Sequence, residues 1–561
     1  MSVRLTWVQP EDLLTHELRQ AAEDGRDATA IRSRWQKAGG PPAPPATGAS
    51  PTPAPPHLRT LAEELLDDLS RLRAPTARSE PTHLRQIRSA CPHWPAPATP
   101  PAGARTPTAS HSGRRGRDAP GSSTPAGALI TTAPLSEVPG GDVPGRSPQG
   151  VERHHPEPAA AVPERSAPEE TPRRGTDPDA PGKARHATPP EPTAATTAAT
   201  PADPAPATPL LDRLRAAWLG RAAGCLLGKP VEKLPLPAIR RLAAATGNWP
   251  LRTWFTARGV PGHLLARHPW NRRSAATSLA ENIDGMPEDD DLNYPLLGLL
   301  LLQRHTKAFT TTHLAGLWLD ELPAGRAFTA ERVAYRNLLL GLTPPHTAVH
   351  RNPFREWIGA LIRADIHGWT HPGNPAAAAE QAHRDATLTH TANGVYGAMF
   401  TAATIAEAAA GATDVHGCLR TGLSVIPPKS RLSQAVRHGI NAAAKASRAP
   451  FDTVVDDLHA AYGHHHWVHV LPNAALIAAA LTHADGDFTG SICRAVSGGW
   501  DTDSNGATAG SVAGLLAGSP GALPARWTDP LRNRLATSVA GLDGIGFDTL
   551  AHLTHTEALR P

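Results

Sequence analysis

The sequence predicts an all-α protein whose folded part lies in the C-terminal portion of the chain. From about Leu210 onward the chain is rich in Leu, Ala, Ile, Val and Trp, and its apolar residues recur at helical spacing. No segment there alternates apolar and polar residues over a useful strand length. This part is long enough to bury one large core. We therefore expect one compact multi-helix domain over residues 209–561.

Short helices are predicted within residues 1–75. Pro10-Glu11-Asp12 is typical of a helix start, because acidic side chains favour the partial positive charge at a helix N-terminus. Further along, the segment from Leu58 to Leu72 places its leucines on one face. These helices are too small to form an enzyme. We interpret them as docking helices for a protein partner.

A Pro/Ala/Arg-rich linker is predicted over residues 76–208. The composition from Gly39 to Thr208 offers few aromatic or branched apolar residues, so burial cannot offset the chain entropy and we expect disorder. Arginine clusters at 114–117 and 173–174 raise nucleic-acid binding as an alternative. We favour a solvated linker, because acidic residues are interspersed and no aromatic residues accompany the arginines.

Cysteine spacing and hydropathy limit the class of protein. The four cysteines show no CxxC spacing, so neither a disulfide framework nor a zinc knuckle is predicted. The N-terminal residues have no apolar signal core, and no run approaches the ~20 apolar residues of a membrane span. The net charge of +4 is small for this length. We expect a soluble, cytoplasmic protein without membrane contact.

Helices follow one another along the C-terminal part. The first opens at Pro209-Leu210-Leu211 and continues to about Arg221. The remaining predicted helices are Leu296–Arg304, Thr312–Leu319, Ala330–Leu340, Pro353–Ala364, Ala376–Ala386, Gly394–Ala409, Leu432–Ala446, Phe451–Tyr462, Asn473–Leu481, Asp487–Val496 and Asn505–Leu516.

A late motif combines two carboxylates with a hydroxyl group. Asp501, Asp503 and Ser504 stand just before an apolar segment with glycine at every fourth residue from Gly506 to Gly518. This pattern favours an oxygen-rich cation site at the start of a closely packed helix. A helix cap or Asx turn explains the same residues when they are taken alone.

A second acidic cluster, Glu288–Asp291, precedes the apolar run Leu296–Leu302. Adjacent carboxylates raise one another's pKa unless a cation compensates. A solvated turn is the alternative, but a helix that is apolar nearly all round should be buried. Ligation by oxygen alone favours Mg²⁺, Mn²⁺ or Ca²⁺ over zinc.

A third motif offers a structural reason for the two acidic clusters to lie close together. Gly220, Gly224 and Gly228 form a bare stripe on one helix face, which allows a second helix to approach closely. The segment Gly506–Gly518 carries the same stripe and is the expected partner. Glu232 follows the break at Lys229-Pro230 and projects from the loop, where by itself it is an ordinary loop acid.

Together these ordered motifs resemble the ADP-ribosylglycohydrolase family, all-helical hydrolases related to the dinitrogenase-reductase-activating glycohydrolase. The resemblance rests on Gly-x-x-x-Gly-x-x-x-Gly-x-Pro-x-Glu, an Asp pair opening an apolar helix, and Gly-Gly-Trp-Asp-Thr-Asp-Ser-Asn-Gly-Ala-Thr. It covers about Leu210 to Leu535. A segment containing His390, Asn393 and Gly394 resembles the central His/Gly segment of the family. Cys225 and Leu292 depart from the family pattern, and the inserted Trp500 and the acidic first position of the early motif indicate a divergent branch.

The resemblance implies a cleft with two Mg²⁺ ions, with Mn²⁺ as an alternative. Glu232 sits where the family carries an acid close to the metals, and we assign it general acid or base catalysis. A one-residue shift would use Glu288 to Asp291 as the early cluster instead. The implied metal ligands are Asp289, Asp290, Asp291, Asp501, Asp503 and Ser504, and the implied substrate contacts are His390, Asn393, Gly394 and Trp500.

Two functional hypotheses follow. The first is a Mg²⁺-dependent hydrolase that cleaves the glycosidic bond of an ADP-ribosyl group, from a protein or a related ribosyl compound, with metal-activated water. The second is a catalytically weak scaffold that binds ADP-ribose or a nucleotide, with a tethered N-terminus that docks a partner. The intact Asp-Thr-Asp-Ser favours the enzyme, and the departures at Cys225 and Leu292 favour the scaffold.

One histidine-rich patch lies outside these motifs. His465 and His469 have the i, i+4 spacing of a zinc-binding helix, but no Glu follows His465 as the His-Glu-x-x-His motif requires. We favour loop or substrate-facing histidines over a zinc site.

Overall fold

The computed structural model describes residues 5–42, 50, 52–96 and 209–561. Within these ranges the regular structure is helical, and β pairing is limited to isolated bridges such as that between Trp357 and His469. The predicted all-α class is confirmed. Residues 97–208 of the predicted linker lie outside the described residues.

The described helices form an N-terminal and a C-terminal group. The N-terminal helices are α1 (Pro10–Glu23), α2 (Thr29–Lys37), α3 (Pro56–Arg71) and α4 (Leu84–Ala90). The first part of the C-terminal group comprises α5 (Leu210–Gly228), α6 (Leu236–Ala245), α7 (Gly262–Arg267), α8 (Ala275–Ser278), α9 (Asp290–His305), α10 (Thr311–Glu321), α11 (Thr329–Leu339), α12 (His346–Val349), α13 (Asp365–Trp369) and α14 (Pro375–Ala386). It continues with α15 (Ala392–Ala410), α16 (Val415–Ser424), α17 (Arg431–Lys445), α18 (Phe451–Tyr462), α19 (Val470–His483), α20 (Phe488–Ser497), α21 (Thr502–Ala517), α22 (Ala525–Thr528) and α23 (Phe547–Leu559).

Most predicted helices exist, but several begin earlier than the apolar pattern suggests. Helix α9 starts at Asp290 rather than Leu296, and α21 starts at Thr502 rather than Asn505, because the polar residues of the motifs form the first turn. The predicted helix Pro353–Ala364 is wrong. Extended and turn residues there lead into a 3-10 turn at Ile358–Arg363, and α13 follows.

The core of the C-terminal domain is built around two helices with glycine stripes. A Cβ atom on Gly220 or Gly224 of α5 would lie within 3.0 Å of main-chain atoms of Gly510 or Gly506 in α21. The reverse holds for Cβ atoms added to α21. The predicted close approach of the two stripes is therefore confirmed, and glycine is required where backbone meets backbone. Helices α15 and α19, both buried almost all round, complete this core.

The N-terminal segment (residues 5–96) packs against the C-terminal domain within the same compact unit. Arg355 of the domain donates to Glu17 at 2.7 Å and to Asp24 at 2.9 Å. Helix α3 contributes Asp67, which accepts hydrogen bonds from Arg351 at 2.8 and 2.9 Å. The helices predicted to dock a partner thus contact their own chain.

The contacts of this segment extend beyond the predicted boundary at residue 75. Glu80 forms an ion pair with Arg431 at 2.7 Å, and the hydroxyl of Tyr396 donates to the carbonyl of Pro81. Residues 76–96, assigned to the linker from their sequence, include α4 in the structure. Composition alone gives the wrong prediction here, because a short helix can bury its apolar side chains against the surface of a large domain.

Two further predictions concern chemistry and hydropathy. All four cysteines are free and buried, in agreement with their spacing. None of the helices in the described ranges combines the length and the apolar character that a bilayer span requires.

Candidate active site

Acidic side chains from three parts of the sequence meet beside the paired helices α5 and α21. Asp289 caps the start of α9, Asp501 precedes α21, and Asp503 lies in its first turn. Glu232 follows the 3-10 turn that ends α5. The charge of Glu232 perturbs the pKa of Asp290, Asp501 and Asp503, so these groups share one electrostatic environment.

Burial and mutual repulsion keep most of this cluster from ionising easily. Burial raises the pKa of Asp290, Asp291 and Asp501 well above the usual range, and neighbouring carboxylates raise it further. Burial, followed by the charges of Glu232 and Asp289, raises the pKa of Asp503 to about 7. A cation bound among these groups would relieve the repulsion, so their environment favours cation binding.

Asp291 is held by groups from both glycine-stripe helices. Arg221 of α5 forms an ion pair with it at 3.3 Å and a second ion pair with buried Asp365 at 3.0 Å. The hydroxyl of Ser504 donates to Asp291 at 3.3 Å, and the thiol of Cys225 lies 3.9 Å from the same carboxylate. Asp291 is thus anchored in the core beside the cluster.

Asp289 has both carboxylate oxygens engaged by the protein. Its Oδ1 accepts the main-chain N–H of Asp291 at 2.9 Å, and its Oδ2 forms an ion pair with the ammonium group of Lys229. Burial alone would raise the pKa of Asp289, but the ammonium group of Lys229 holds this pKa below its usual range. Asp289, Asp291 and Cys225 have possible ligand atoms within 4.8 Å of one another, and in this structure the ammonium group of Lys229 already pairs with Asp289.

The alternative register of the acidic run finds no support in the geometry. Glu288 forms an ion pair with Arg326 at 2.6 Å and accepts a hydrogen bond from Asn293 at 3.3 Å. Asp290 makes no ion pair within the described residues, and the charges of Asp503 and Glu232 act on it. These contacts favour Asp289–Asp291 over Glu288–Asp291 as the early part of the cluster.

The start of α21 is fixed by polar contacts that cross the helix pair. The hydroxyl of Thr502 donates to the carbonyl of Gly228 at 2.8 Å. From α19, Asn473 accepts the main-chain N–H of Asp501 at 3.1 Å and the side-chain amide of Asn505 at 2.8 Å. These buried hydrogen bonds set the position of Asp501 and Asp503 before any ligand binds.

Glu232 is partly exposed and held by two donors. Asn271 donates to its Oε2 at 2.6 Å, and Lys233 pairs with its Oε1 at 2.7 Å. The ammonium group of Lys233 also lies 5.5 Å from the centre of the Trp467 ring. These two donors fix the position of the Glu232 carboxylate at the edge of the site.

Trp500 packs against the wall of the site. Its ring stacks on His459 with 3.8 Å between ring centres, and its backbone has a φ of 56°, which a bulky residue adopts only when its surroundings require it. His459 in turn donates to the carbonyl of Gly498 at 2.8 Å. With 7% of its surface exposed, Trp500 supports the turn before Asp501 and offers little area to a substrate.

The three predicted substrate contacts of the central segment are placed elsewhere. His390 and Asn393 are fully buried. His390 meets Thr389 at 2.6 Å, and Asn393 accepts the main-chain N–H of Leu432 at 2.9 Å. Gly394 packs closely on the carbonyl of Arg355. In this conformation they are packing residues, because tertiary contacts enclose the turn that was expected to face a phosphate.

The histidine patch faces the N-terminal segment rather than the acidic cluster. Glu23 lies 3.4 Å from Nδ1 of His465 and 3.2 Å from Nε2 of His469. The main-chain N–H of Leu471 donates to Nδ1 of His469 at 3.2 Å, so the ring proton must reside on Nε2. A zinc ion on Nε2 would need the opposite tautomer. Because the possible ligand atoms of Glu23, His465 and His469 lie within 4.8 Å of one another, the absence of zinc stays a prediction from the sequence.

The remaining donor set fits a hard cation. Asp290, Asp501 and Asp503 make no ion pair within the described residues, and Ser504 adds a hydroxyl oxygen beside them. Carboxylate and hydroxyl oxygens suit Mg²⁺ or Mn²⁺. Sequence reasoning missed Lys229 and Lys233, although they flank Pro230 and Glu232 in the recognised motif.

The fold and the site define an all-α protein with a buried carboxylate cluster at the starts of two helices. The ADP-ribosylglycohydrolase family model matches residues 206–557, and the chain belongs to this family. Its members are metal-dependent hydrolases that act on glycosidic bonds of ADP-ribose, so the predicted family and enzyme class are confirmed.

Other comparisons add little. A solved structure described as an "ADP-ribosylglycohydrolase-related protein complex" is 21% identical, covers 62% of this chain and 99% of its own, and has a TM-score of 0.38. No curated protein matches the chain significantly.

Proposed function

We propose that this protein hydrolyses the glycosidic bond of an ADP-ribosyl group with the help of Mg²⁺, for which Mn²⁺ can substitute. The observation that carries the proposal is the shared electrostatic environment of Asp290, Asp501 and Asp503, which have no ion pair within the described residues. Their raised pKa values favour a site that gains stability when a cation binds.

The reaction builds positive charge on the ribose ring as the glycosidic bond breaks. When bound, the divalent cation supplies a charge that orients ribose hydroxyls and lowers the pKa of water. Glu232 is the proposed general base, because it is a partly exposed carboxylate beside the cluster that Asn271 and Lys233 hold in position. Asn473 and Thr502 keep the aspartates of α21 in place during the reaction.

The proposed substrate is an ADP-ribosylated protein or a small ribosyl compound. A protein partner for the N-terminal helices and a cytoplasmic location stay predictions from the sequence.

Release of ADP-ribose tests the proposal. We expect the full chain to turn over ADP-ribosylated protein or small ADP-ribosyl compounds, with loss of activity in EDTA and recovery with Mg²⁺. Asp503→Ala should lower the rate by at least about 100-fold, whereas Asp485→Asn changes an exposed carboxylate that pairs with His416 and should leave the rate unchanged. Full activity in EDTA, or in Asp503→Ala, would contradict the proposal.

A second candidate is a scaffold that binds ADP-ribose or a nucleotide without cleaving it. It is favoured by Cys225, which stands where the family pattern has an acid, and by the ion pair between Lys229 and Asp289. Calorimetry with ADP-ribose separates the two functions. Tight binding combined with no turnover on any ADP-ribosyl substrate would support the scaffold.

A further inference from the structure

The ammonium group of Lys229 is built into the acidic cluster. Lys229 follows α5 directly, and its side chain is 9% exposed. Its Nζ pairs with Asp289 and donates to the carbonyl of Glu288 at 3.3 Å. The end of α5 cannot shift freely, because Gly228 lies against the main chain of Thr502. The contact between α5 and α21 that assembles the site therefore also fixes the position of the ammonium group.

Protein cations divide the six carboxylates of the cluster into two sets. Asp291 pairs with Arg221, Glu232 pairs with Lys233, and Asp289 pairs with Lys229. Within the described residues, the other three carboxylates have no ion pair. These three are Asp290, Asp501 and Asp503.

This division sets how many ions the cluster can hold. Three carboxylates without an ion pair, together with the hydroxyl of Ser504, are left for one divalent cation. A second would use the group formed by Asp289, Asp291 and the thiol of Cys225, whose ligand atoms lie within 4.8 Å of one another, but there Asp289 already pairs with Lys229 and accepts the N–H of Asp291. It would also meet the buried ammonium group at short range, where like charges repel strongly.

We propose that the ammonium group of Lys229 takes the place of a second divalent cation, so that the cluster holds one ion. This inference rests on the proposed function. An ammonium group supplies positive charge and N–H donors but no ligand positions for water, so its contribution is electrostatic. Lys229 has three N–H donors, two of which are used by Asp289 and Glu288, and the third is left for a ligand oxygen.

Counting bound metal ions tests this proposal without relying on activity. The full chain is dialysed against Mn²⁺, and bound metal is measured by elemental analysis and by electron paramagnetic resonance. We expect one Mn²⁺ per chain with a single-ion spectrum for the wild type and for Lys229→Arg, which keeps the charge. Lys229→Met removes the charge at similar volume and should bind two Mn²⁺ per chain, with the spectrum of an exchange-coupled pair.

The control is Lys307→Met, which removes an ammonium group bonded to the main-chain carbonyls of Ala558 and Arg560, away from the cluster. It should bind one Mn²⁺. Two Mn²⁺ in the wild type, or one in a folded Lys229→Met protein, would overturn this inference and leave the proposed function standing. If Lys229→Met does not fold, the stoichiometry of the wild type decides. Binding of no Mn²⁺ by the wild type would overturn the proposed metal site itself.

Discussion

The contact between α5 and α21 makes a quantitative prediction about Gly224. Replacing it with Ala adds one Cβ atom within 3.0 Å of the carbonyl oxygen of Gly506. A carbon and an oxygen atom normally stay at least about 3.3 Å apart, so the helices must separate by on the order of 1 Å. The opposing atoms are main chain and cannot rotate away.

We therefore expect a cost at the upper end of the range for overpacked cores, about 3 kcal/mol. The free energy of unfolding is measured by urea denaturation, followed by circular dichroism at constant protein concentration.

Gly316 provides a matched control in another helix. It lies within α10, and a Cβ atom there meets nothing within 4 Å. Gly316→Ala should stabilise the protein by about 0.5–1 kcal/mol, because alanine restricts the unfolded chain. The reasoning is refuted if Gly224→Ala is as stable as the wild type, or if both variants change the free energy of unfolding in the same direction.

The remaining predictions concern charge. Asp503 has a pKa of about 7 in the fold against 3.8 for the free side chain, so the folded state binds more protons between these values. The metal-free protein should lose stability as pH rises from about 4 to 7, by up to roughly 1.4 kcal/mol per pH unit, and thermal unfolding of Asp503→Asn should show a flatter profile. Separately, Arg431→Ala leaves Glu80 and Glu356 without their cation, which should cost about 3–5 kcal/mol and speed proteolysis of the N-terminal segment. Arg437→Ala, on the exposed face of the same helix, should leave the proteolysis rate unchanged.

The N-terminal segment shows where sequence patterns lose information. Short helices were predicted from local signals for residues 1–75, and α3 lies within two residues of its expected bounds, whereas α4 was not predicted. The docking was not predictable, because Glu17, Asp24 and Glu80 pair with Arg355 or Arg431, which lie hundreds of residues away. An isolated acidic residue in a sequence gives no sign of the cation it will meet.

The sequence by itself determined the helical class, the family and the pairing of the glycine stripes of α5 and α21. These properties follow from local periodicity and from residues that must be small wherever backbones touch. Only the tertiary structure decided the use of each acid: Asp289 is neutralised by Lys229, Asp291 is anchored by Arg221, and Asp503 keeps a raised pKa. The physical reason is that the charge state of a buried carboxylate depends on the groups that surround it in space, and those groups come from distant parts of the chain.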